Sequence, residues 1–340
     1  MEQGASPSAG GSRAARRRAK AAKKRTRQMQ LEPTGAASAD KQQKRARQEA
    51  ETGEEKVVAL RFEDVLEAVD ADEVAELLFA LANATHVLYR TAGGVLTIRQ
   101  DPAIAHTGGC VWDAAFALAR WAPAQIRTLQ AQASPPRRLR CLEVGAGCGL
   151  LGLLVAHLGC DVLITEQPSA MANLRANVAA NPATSVGGTA AAAQLSWTDD
   201  AEVAAAAGRG PWDLLLGTDI VYSLELVDPL LRTLHACATT HTQVWLCLQQ
   251  REPIATARLL ERARDFFASV RQRPIGAEDE QSNVFAECFL VQLEQRRPHD
   301  CGQQRHEGAD GAAAADAATR PTAPPASELV CTTTVDNALP

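Results

Sequence analysis

The stretch Leu139-Arg-Cys-Leu-Glu-Val-Gly-Ala-Gly-Cys-Gly-Leu-Leu-Gly152 decides how this chain folds. An apolar strand runs into three glycines, Gly145, Gly147 and Gly149, and a helix is expected behind them over residues 150–158. Glycine has no Cβ, so the turn can be tight and a ligand can lie against bare backbone. The first turn of the following helix offers unpaired N–H groups. The arrangement is that of a nucleotide-type cofactor loop.

Working outward, the pattern alternates from Arg138 onward. Strands are expected at 140–144, 161–165, 193–196, 214–218, 243–248 and 286–293, and helices at 150–158, 168–180, 224–235 and 253–268. Pro168 and Pro253 suit first-turn positions, where the missing N–H costs nothing. Near-continuous apolar strands separated by helices imply an α/β fold: a mostly parallel sheet with helices on both faces. Little room for a crossover precedes the final strand, which predicts an antiparallel terminal hairpin. Upstream, the apolar spacing in Phe62–Ala82 breaks near Asp70-Ala-Asp72 and reads as two short helices. His86–Tyr89 and Val95–Arg99 flank Gly93-Gly94 as a hairpin, and Val111–Trp121 reads as a helix that Asp113 can cap. Ligands in such sheets bind beyond the carboxyl ends of the strands. The chemistry is therefore expected among Glu143–Gly149, Glu166, Trp197–Asp200, Gly217–Tyr222 and Gln249–Arg251.

The charge of the 340 residues is uneven. Residues 1–48 hold 13 Lys/Arg against 3 Asp/Glu, a net of +10; the whole chain is −5, which leaves −15 for residues 49–340. The basic segment has almost no large apolar side chain, so disorder is expected for an arm over residues 1–56, and the Ala/Pro/Thr-rich residues 296–340 read the same way. Between them, residues 57–106 supply helices and a hairpin and residues 107–295 the cofactor-binding domain. No apolar run is long enough to span a membrane, and no metal-type His/Cys spacing occurs, so neither a membrane nor a metal is expected. Cys141, Cys160, Cys247 and Cys288 fall in or beside strands, as buried thiols do. The run Arg13–Arg27 has three readings: a nuclear localisation signal met by an import receptor, a nucleic-acid-binding tail, or an organelle transit peptide. Dense lysines and the early Glu2 count against the last, so nucleus or cytoplasm is expected.

A glycine loop alone does not separate a nicotinamide dinucleotide from S-adenosylmethionine. Glu143 stands two residues before the first glycine, where a carboxylate repels a pyrophosphate but suits a sulfonium. The dinucleotide pattern needs glycine at 150, where this chain has Leu150, although Gly152 partly substitutes. Glu166 ends the second strand and can accept both ribose hydroxyls, a feature common to both cofactors.

Four stretches carry a more specific resemblance: Thr107-Gly-Gly-Cys-Val-Trp-Asp-Ala-Ala115, Leu142–Gly149, Ala193-Gln-Leu-Ser-Trp197, and Thr218-Asp-Ile-Val-Tyr222 followed by Glu225 and Asp228. Over residues 85–295 the chain resembles the seven-β-strand S-adenosylmethionine-dependent methyltransferases. Within them it is similar to methyltransferase family 16, the protein-lysine methyltransferases that include the enzyme modifying valosin-containing protein. The resemblance implies a Rossmann-like seven-stranded sheet, S-adenosylmethionine as cofactor and a lysine of another protein as acceptor. It implies cofactor contacts at Trp112, Glu143, Gly145, Gly147, Gly149, Glu166, Trp197 and Asp219. Trp112 then packs near the methionine end and Trp197 near the adenine, although both also suit ordinary core packing.

Asp219 and Tyr222, read as one helical turn apart, are the catalytic candidates. They would align a neutral amine with the S–CH₃ bond, against a helix cap and a packed tyrosine as the plainer alternatives. Relatives carry an aromatic-acidic pair before Gln-Arg at the end of strand five, where this chain has Leu248-Gln249-Gln250-Arg251. That departure bears on substrate preference; Arg251 is either a channel residue or solvated surface. Two other classes fit less well: a nicotinamide-dependent oxidoreductase, and a catalytically weak binding module that keeps the fold.

Overall fold

The computed structural model describes residues 58–298, apart from 68–70, 103, 105–106, 183–187, 276–284 and 286. The arm expected over 1–56 and the tail beyond 298 lie outside the described residues. The N-terminal part comprises β1 (Ala59–Arg61), α1 (Glu63–Glu67), α2 (Ala71–Asn83), β2 (His86–Thr91) and β3 (Gly94–Arg99), then α3 (Asp113–Gln132). There follow β4 (Arg140–Glu143), α4 (Leu150–His157), β5 (Asp161–Glu166), α5 (Met171–Ala180), β6 (Thr189–Gln194) and α6 (Asp200–Gly208). The chain continues through β7 (Leu214–Thr218), α7 (Val227–Cys237), β8 (Gln243–Gln249), α8 (Pro253–Phe266), β9 (Phe267–Pro274) and β10 (Cys288–Arg296).

Strands β1, β2 and β3 form a small sheet; the other seven are ordered β6-β5-β4-β7-β8-β10-β9. All neighbours in the larger sheet are parallel except β10, which runs antiparallel to both β8 and β9. The order reverses between β4 and β7, which opens a crevice at their carboxyl ends.

The apolar runs are continuous because successive side chains serve opposite faces. Val162 and Ile164 of β5, Leu214 and Leu216 of β7, and Trp245 and Cys247 of β8 join one core with α3 and α4. Leu163, Leu215, Val244, Leu246 and Leu248 join the other, with α7 and α8. Each such side chain withdrawn from water contributes about 1.5–3 kcal/mol. Cys141, Cys160, Cys247 and Cys288 are buried free thiols.

A polar ladder holds the small sheet against the large one. At the C-terminal cap of α5, Asn181 accepts from Thr97 N (2.8 Å) and donates to Thr97 O (3.0 Å). Asn177 accepts from Arg99 N (2.8 Å) and donates to Arg99 O and to Cys148 O, each at 2.9 Å. Asn173 adds a third donation to Arg99 O at 3.2 Å.

Several expectations need correction. Strand β6 begins and ends earlier than 193–196, because Ser196 N is taken by Glu202 Oε2 at 2.7 Å and cannot extend a ladder. Helix α3 runs past Trp121 and through Pro123; Ala119, Ala122 and Ile126 are fully buried, and their packing outweighs the bond that proline removes. Helix α8 stops at Phe266, since Phe267 is extended (φ −129°, ψ 141°) and opens β9, which pairs with β10 as the expected antiparallel terminal hairpin but has no range of its own in the sequence reading. Helix α6 was also missing there. Its alanine-rich run has no amphipathic stripe, and its start is marked by Asp199, whose side chain accepts from Ala201 N and Glu202 N. The residue before α3 is Trp112; Asp113 is the first residue of the helix, and its side chain is buried.

Gly152 in α4 is a packing requirement. A Cβ there would lie 2.4 Å from Glu143 Oε2 and 2.7 Å from Ile164 Cγ1, and both of those side chains are buried. Gly152→Ala is expected to lower stability by about 1–3 kcal/mol in urea denaturation. Gly208→Ala, with open space around the added carbon, is expected to leave stability unchanged or raise it.

Candidate active site

The crevice beyond β4 and β7 is a cleft whose walls come from five elements. Its lining includes Trp112 before α3, Glu143 and the glycine loop after β4, Glu166 after β5, Trp197 after β6, and Asp219 and Tyr222 after β7. All nine residues singled out as site candidates therefore meet in one place.

The loop takes its shape from left-handed backbone: φ is 63° at Gly145, 55° at Gly147 and 84° at Gly149. Gly145 is also crowded, since a Cβ would fall 2.8 Å from Ile220 and 3.1 Å from Trp197. Glu166 braces the loop from beneath. Its Oε2 accepts from Gly147 N and its Oε1 from Gln167 N, both at 2.7 Å. An ionised carboxylate has about four acceptor sites, so lone pairs remain for a ligand. Glu143 accepts from Gly152 N at 2.9 Å through Oε2. Half of its carboxylate is thus committed to the chain, a restriction on the ligand-facing role read from sequence. Burial pushes the Glu143 carboxyl up to about 8; the Gly152 amide opposes this and the nearby Glu166 adds to it.

After β7 the chain does not turn into a helix. Asp219 is left-handed (φ 52°), Ser223 is extended, and a 3₁₀ turn starts at Leu224. Asp219 and Tyr222 meet through this loop and not through the helical turn expected for them. The Asp219 carboxylate is already engaged: Oδ1 accepts from Gln249 N at 2.8 Å and Oδ2 from Arg251 at 3.0 Å. Burial lifts the Asp219 carboxyl above its usual range, and Arg251 and the Gln249 amide work against that rise. Arg251 is not solvated surface. Its side chain is 12% exposed and its guanidinium lies 4.4 Å from the Trp112 ring centroid. One guanidinium thereby ties the segment before α3 to the ends of β7 and β8. The Asp-Arg contact spans 32 residues of sequence, so periodicity gave no sign of it. Gly108 and Cys110 also line the cleft, and only their place in the Thr107–Ala115 segment pointed there.

The charges decide what fits. Among the described residues, the lining holds the carboxylates of Glu143, Glu166 and Asp219 and no Lys, Arg or His. Arg251 balances Asp219 and burial favours the protonated form of Glu143, which leaves Glu166 and the Glu143 carboxyl, ionisable beside a cation, facing the space. Such a cleft disfavours a pyrophosphate and suits a cation. A sulfonium nucleoside carrying ribose hydroxyls fits this donor set: Glu166 would hold the ribose, the bare loop would approach the amino-acid part, and Trp197 beside Gly145 would pack the base.

The sequence profile described as lysine methyltransferase matches residues 91–273, more than half of the chain. The chain belongs to the lysine methyltransferase family. It is 32% identical over 157 residues to the mouse protein N-lysine methyltransferase METTL21A, covering 46% of this chain and 67% of that one. The zebrafish METTL21A is 30% identical over 211 residues, covering 62% and 84%. Mouse EEF1A lysine methyltransferase 3 is 36% identical over 141 residues, covering 42% and 55%. The cofactor of this family member is S-adenosylmethionine and its reaction is methylation of protein lysine, which sets aside the nicotinamide-dependent oxidoreductase.

Two outcomes follow from the buried acids. With its carboxyl pushed up to about 8 by burial, Glu143 releases its proton at higher pH in the folded protein than in the unfolded chain, where the ordinary value is 4.5. The stability this contributes is complete below that pH and is lost as pH rises through about 8. Relative to Glu143→Gln, the wild type should lose up to about 1.4 kcal/mol per pH unit across that window, read from urea midpoints. Parallel curves for the two proteins would show that Glu143 is ionised throughout. In a second experiment, Arg251→Ala strands the Asp219 carboxylate in the interior and should cost about 3–5 kcal/mol. Adding Asp219→Asn should recover part of that loss, and a denaturation cycle over the four proteins measures the coupling.

Proposed function

We propose that the cleft holds S-adenosylmethionine along Gly145–Gly149 and receives, on the Tyr222 side, the ε-amine of a lysine carried by another protein. The observation that carries this reading is the lining itself, with three carboxylates and, among the described residues, no basic side chain at the reversal point of the sheet. In it Glu166 accepts the ribose hydroxyls, Trp197 packs the adenine and Trp112 borders the methionine end. Glu143 adds negative potential, and a cation beside it favours its ionised form.

When bound, the cofactor supplies an electrophilic methyl group. The protein's task is to admit an uncharged amine and aim it. A lysine has a pKa near 10.4, so presenting it neutral at pH 7 costs about 4.6 kcal/mol. Desolvation in the cleft mouth lowers that cost, and the proton leaves to water before the amine enters. The Asp219 carboxylate is committed to Arg251 and the Gln249 amide. Alignment of the lone pair therefore falls to the Tyr222 hydroxyl and to backbone carbonyls around Asp219. Orientation of this kind accounts for most of the rate in such transfers. The basic run Arg13–Arg27 supports a further contact, with an import receptor or nucleic acid, and with it a nuclear or cytoplasmic site of action.

Incubation with methyl-labelled cofactor and a cell lysate, followed by mass spectrometry, should place label on a lysine of another protein. Glu166→Gln should weaken S-adenosylhomocysteine binding about ten- to hundredfold by calorimetry, because the introduced amide faces a backbone N–H instead of accepting from it. Unchanged affinity would mean that Glu166 does not hold the ribose.

A further inference from the structure

The mouth of the cleft carries an apolar surface that the transfer chemistry does not use. Among the described residues, seven large hydrophobic side chains are exposed. Four of them lie between residues 58 and 95; the other three, Tyr222 (37% exposed), Leu224 (51%) and Ile254 (72%), belong to the rim beyond β7 and β8. Isolated exposed side chains are ordinary, but a group of them beside a site marks an interaction surface. The Leu224–Leu226 turn packs against both α7 and α8. Leu226 faces into the cleft from this turn, while Leu224 on the same turn faces water. The apolar surface is thus continuous with the cleft wall.

The rim is held in place. Arg262 on α8 donates to Asp228 in the first turn of α7 at 3.0 Å, and Arg258 reaches the same carboxylate at 3.9 Å. The arginines nearest the rim are therefore engaged. Two exposed carboxylates flank the apolar groups, Glu225 beside Leu224 and Glu252 beside Pro253, and neither forms an ion pair among the described residues. The surface is acidic and greasy together, complementary to a basic segment with an apolar anchor.

Resting on the reading of the cleft as a protein-lysine site, we propose that Leu224, Pro253 and Ile254, with Tyr222 at the inner edge, form a docking ledge for the acceptor protein. The ledge seats a bulky apolar side chain that stands beside the target lysine on the acceptor's surface, and Glu225 and Glu252 draw basic residues around it. Selection among lysines then comes from this neighbour as well as from the amine.

The test uses the full-length protein. The acceptor is first identified by labelled-methyl transfer in lysate and mass spectrometry, then purified as substrate. Leu224→Asp and Ile254→Asp replace exposed side chains, and Ile254 lies in a helical first turn that tolerates an acid, so folding is preserved. Each should raise KM for the acceptor about tenfold or more while kcat stays within about threefold. S-adenosylhomocysteine affinity should stay within about twofold of wild type, which a general structural defect would not allow. Glu225→Lys combined with Glu252→Lys should raise KM further at low salt than at high salt. The mapped lysine should have an apolar side chain and basic residues as surface neighbours. Wild-type KM in the two aspartate variants, or acidic neighbours around the mapped lysine, overturns the ledge alone. Absence of any labelled protein overturns the reading of the cleft, and the ledge with it.

Discussion

Three carboxylates inside the protein, at the ends of neighbouring strands, set the terms for everything around them. A buried acid is costly unless it is hydrogen-bonded or paired. Here each is met by backbone N–H: Gly152 for Glu143, Gly147 and Gln167 for Glu166, Gln249 for Asp219. Those bonds require a glycine loop folded back over β5, a helix with no side chain at its third position, and a left-handed residue after β7. The parallel sheet supplies the placement, since the ends of β4, β5 and β7 converge at the reversal of strand order. Acidic groups are gathered there with no lysine or histidine among the described lining residues, an arrangement that suits a positively charged donor.

Much of this was legible in the residues. The glycine loop and the strand ends are local features: the apolar runs place the strands, and a carboxylate or tryptophan following each run lands at the crevice. What escaped the sequence was of two kinds. Uniform composition hid some elements, as in the alanine-rich β6 and α6, where side-chain size gives no period and only the Asp199 cap with Glu202 signals a start. Contacts distant in sequence hid others. Arg251 had the features of a surface arginine, and its burial against Trp112 and Asp219 depends on three segments brought together by folding. The same holds for Asp219, whose conformation is set by Cys247 O accepting from its own N–H at 2.9 Å and by its bond to Gln249 N.

The Trp112–Arg251–Asp219 contact also bears on how the site's two sides relate. The segment before α3 forms one wall of the cleft and the end of β7 another, with the end of β8 behind it. A guanidinium placed over an indole and paired to a carboxylate joins them with both directional and dispersive contact. Gln249, the last residue of β8, falls at the same point. Gln249 is buried and donates to Glu287 at 2.9 Å, so the acid near this position is supplied by the start of β10.

The asparagines of α5 carry a consequence of a different kind. A helix advances about 6 Å in four residues and a strand about 6.7 Å in two. Amides spaced four apart on a helix can therefore imitate an adjoining strand, each giving and taking one bond from alternate residues. The two spacings differ, which limits the imitation to a few rungs; the third amide reaches Arg99 O again, at 3.2 Å, and Cys148 Sγ at 3.7 Å. The outer margin of β3 is in this way closed by side chains at Thr97 and Arg99, where another polypeptide would find the backbone groups already taken.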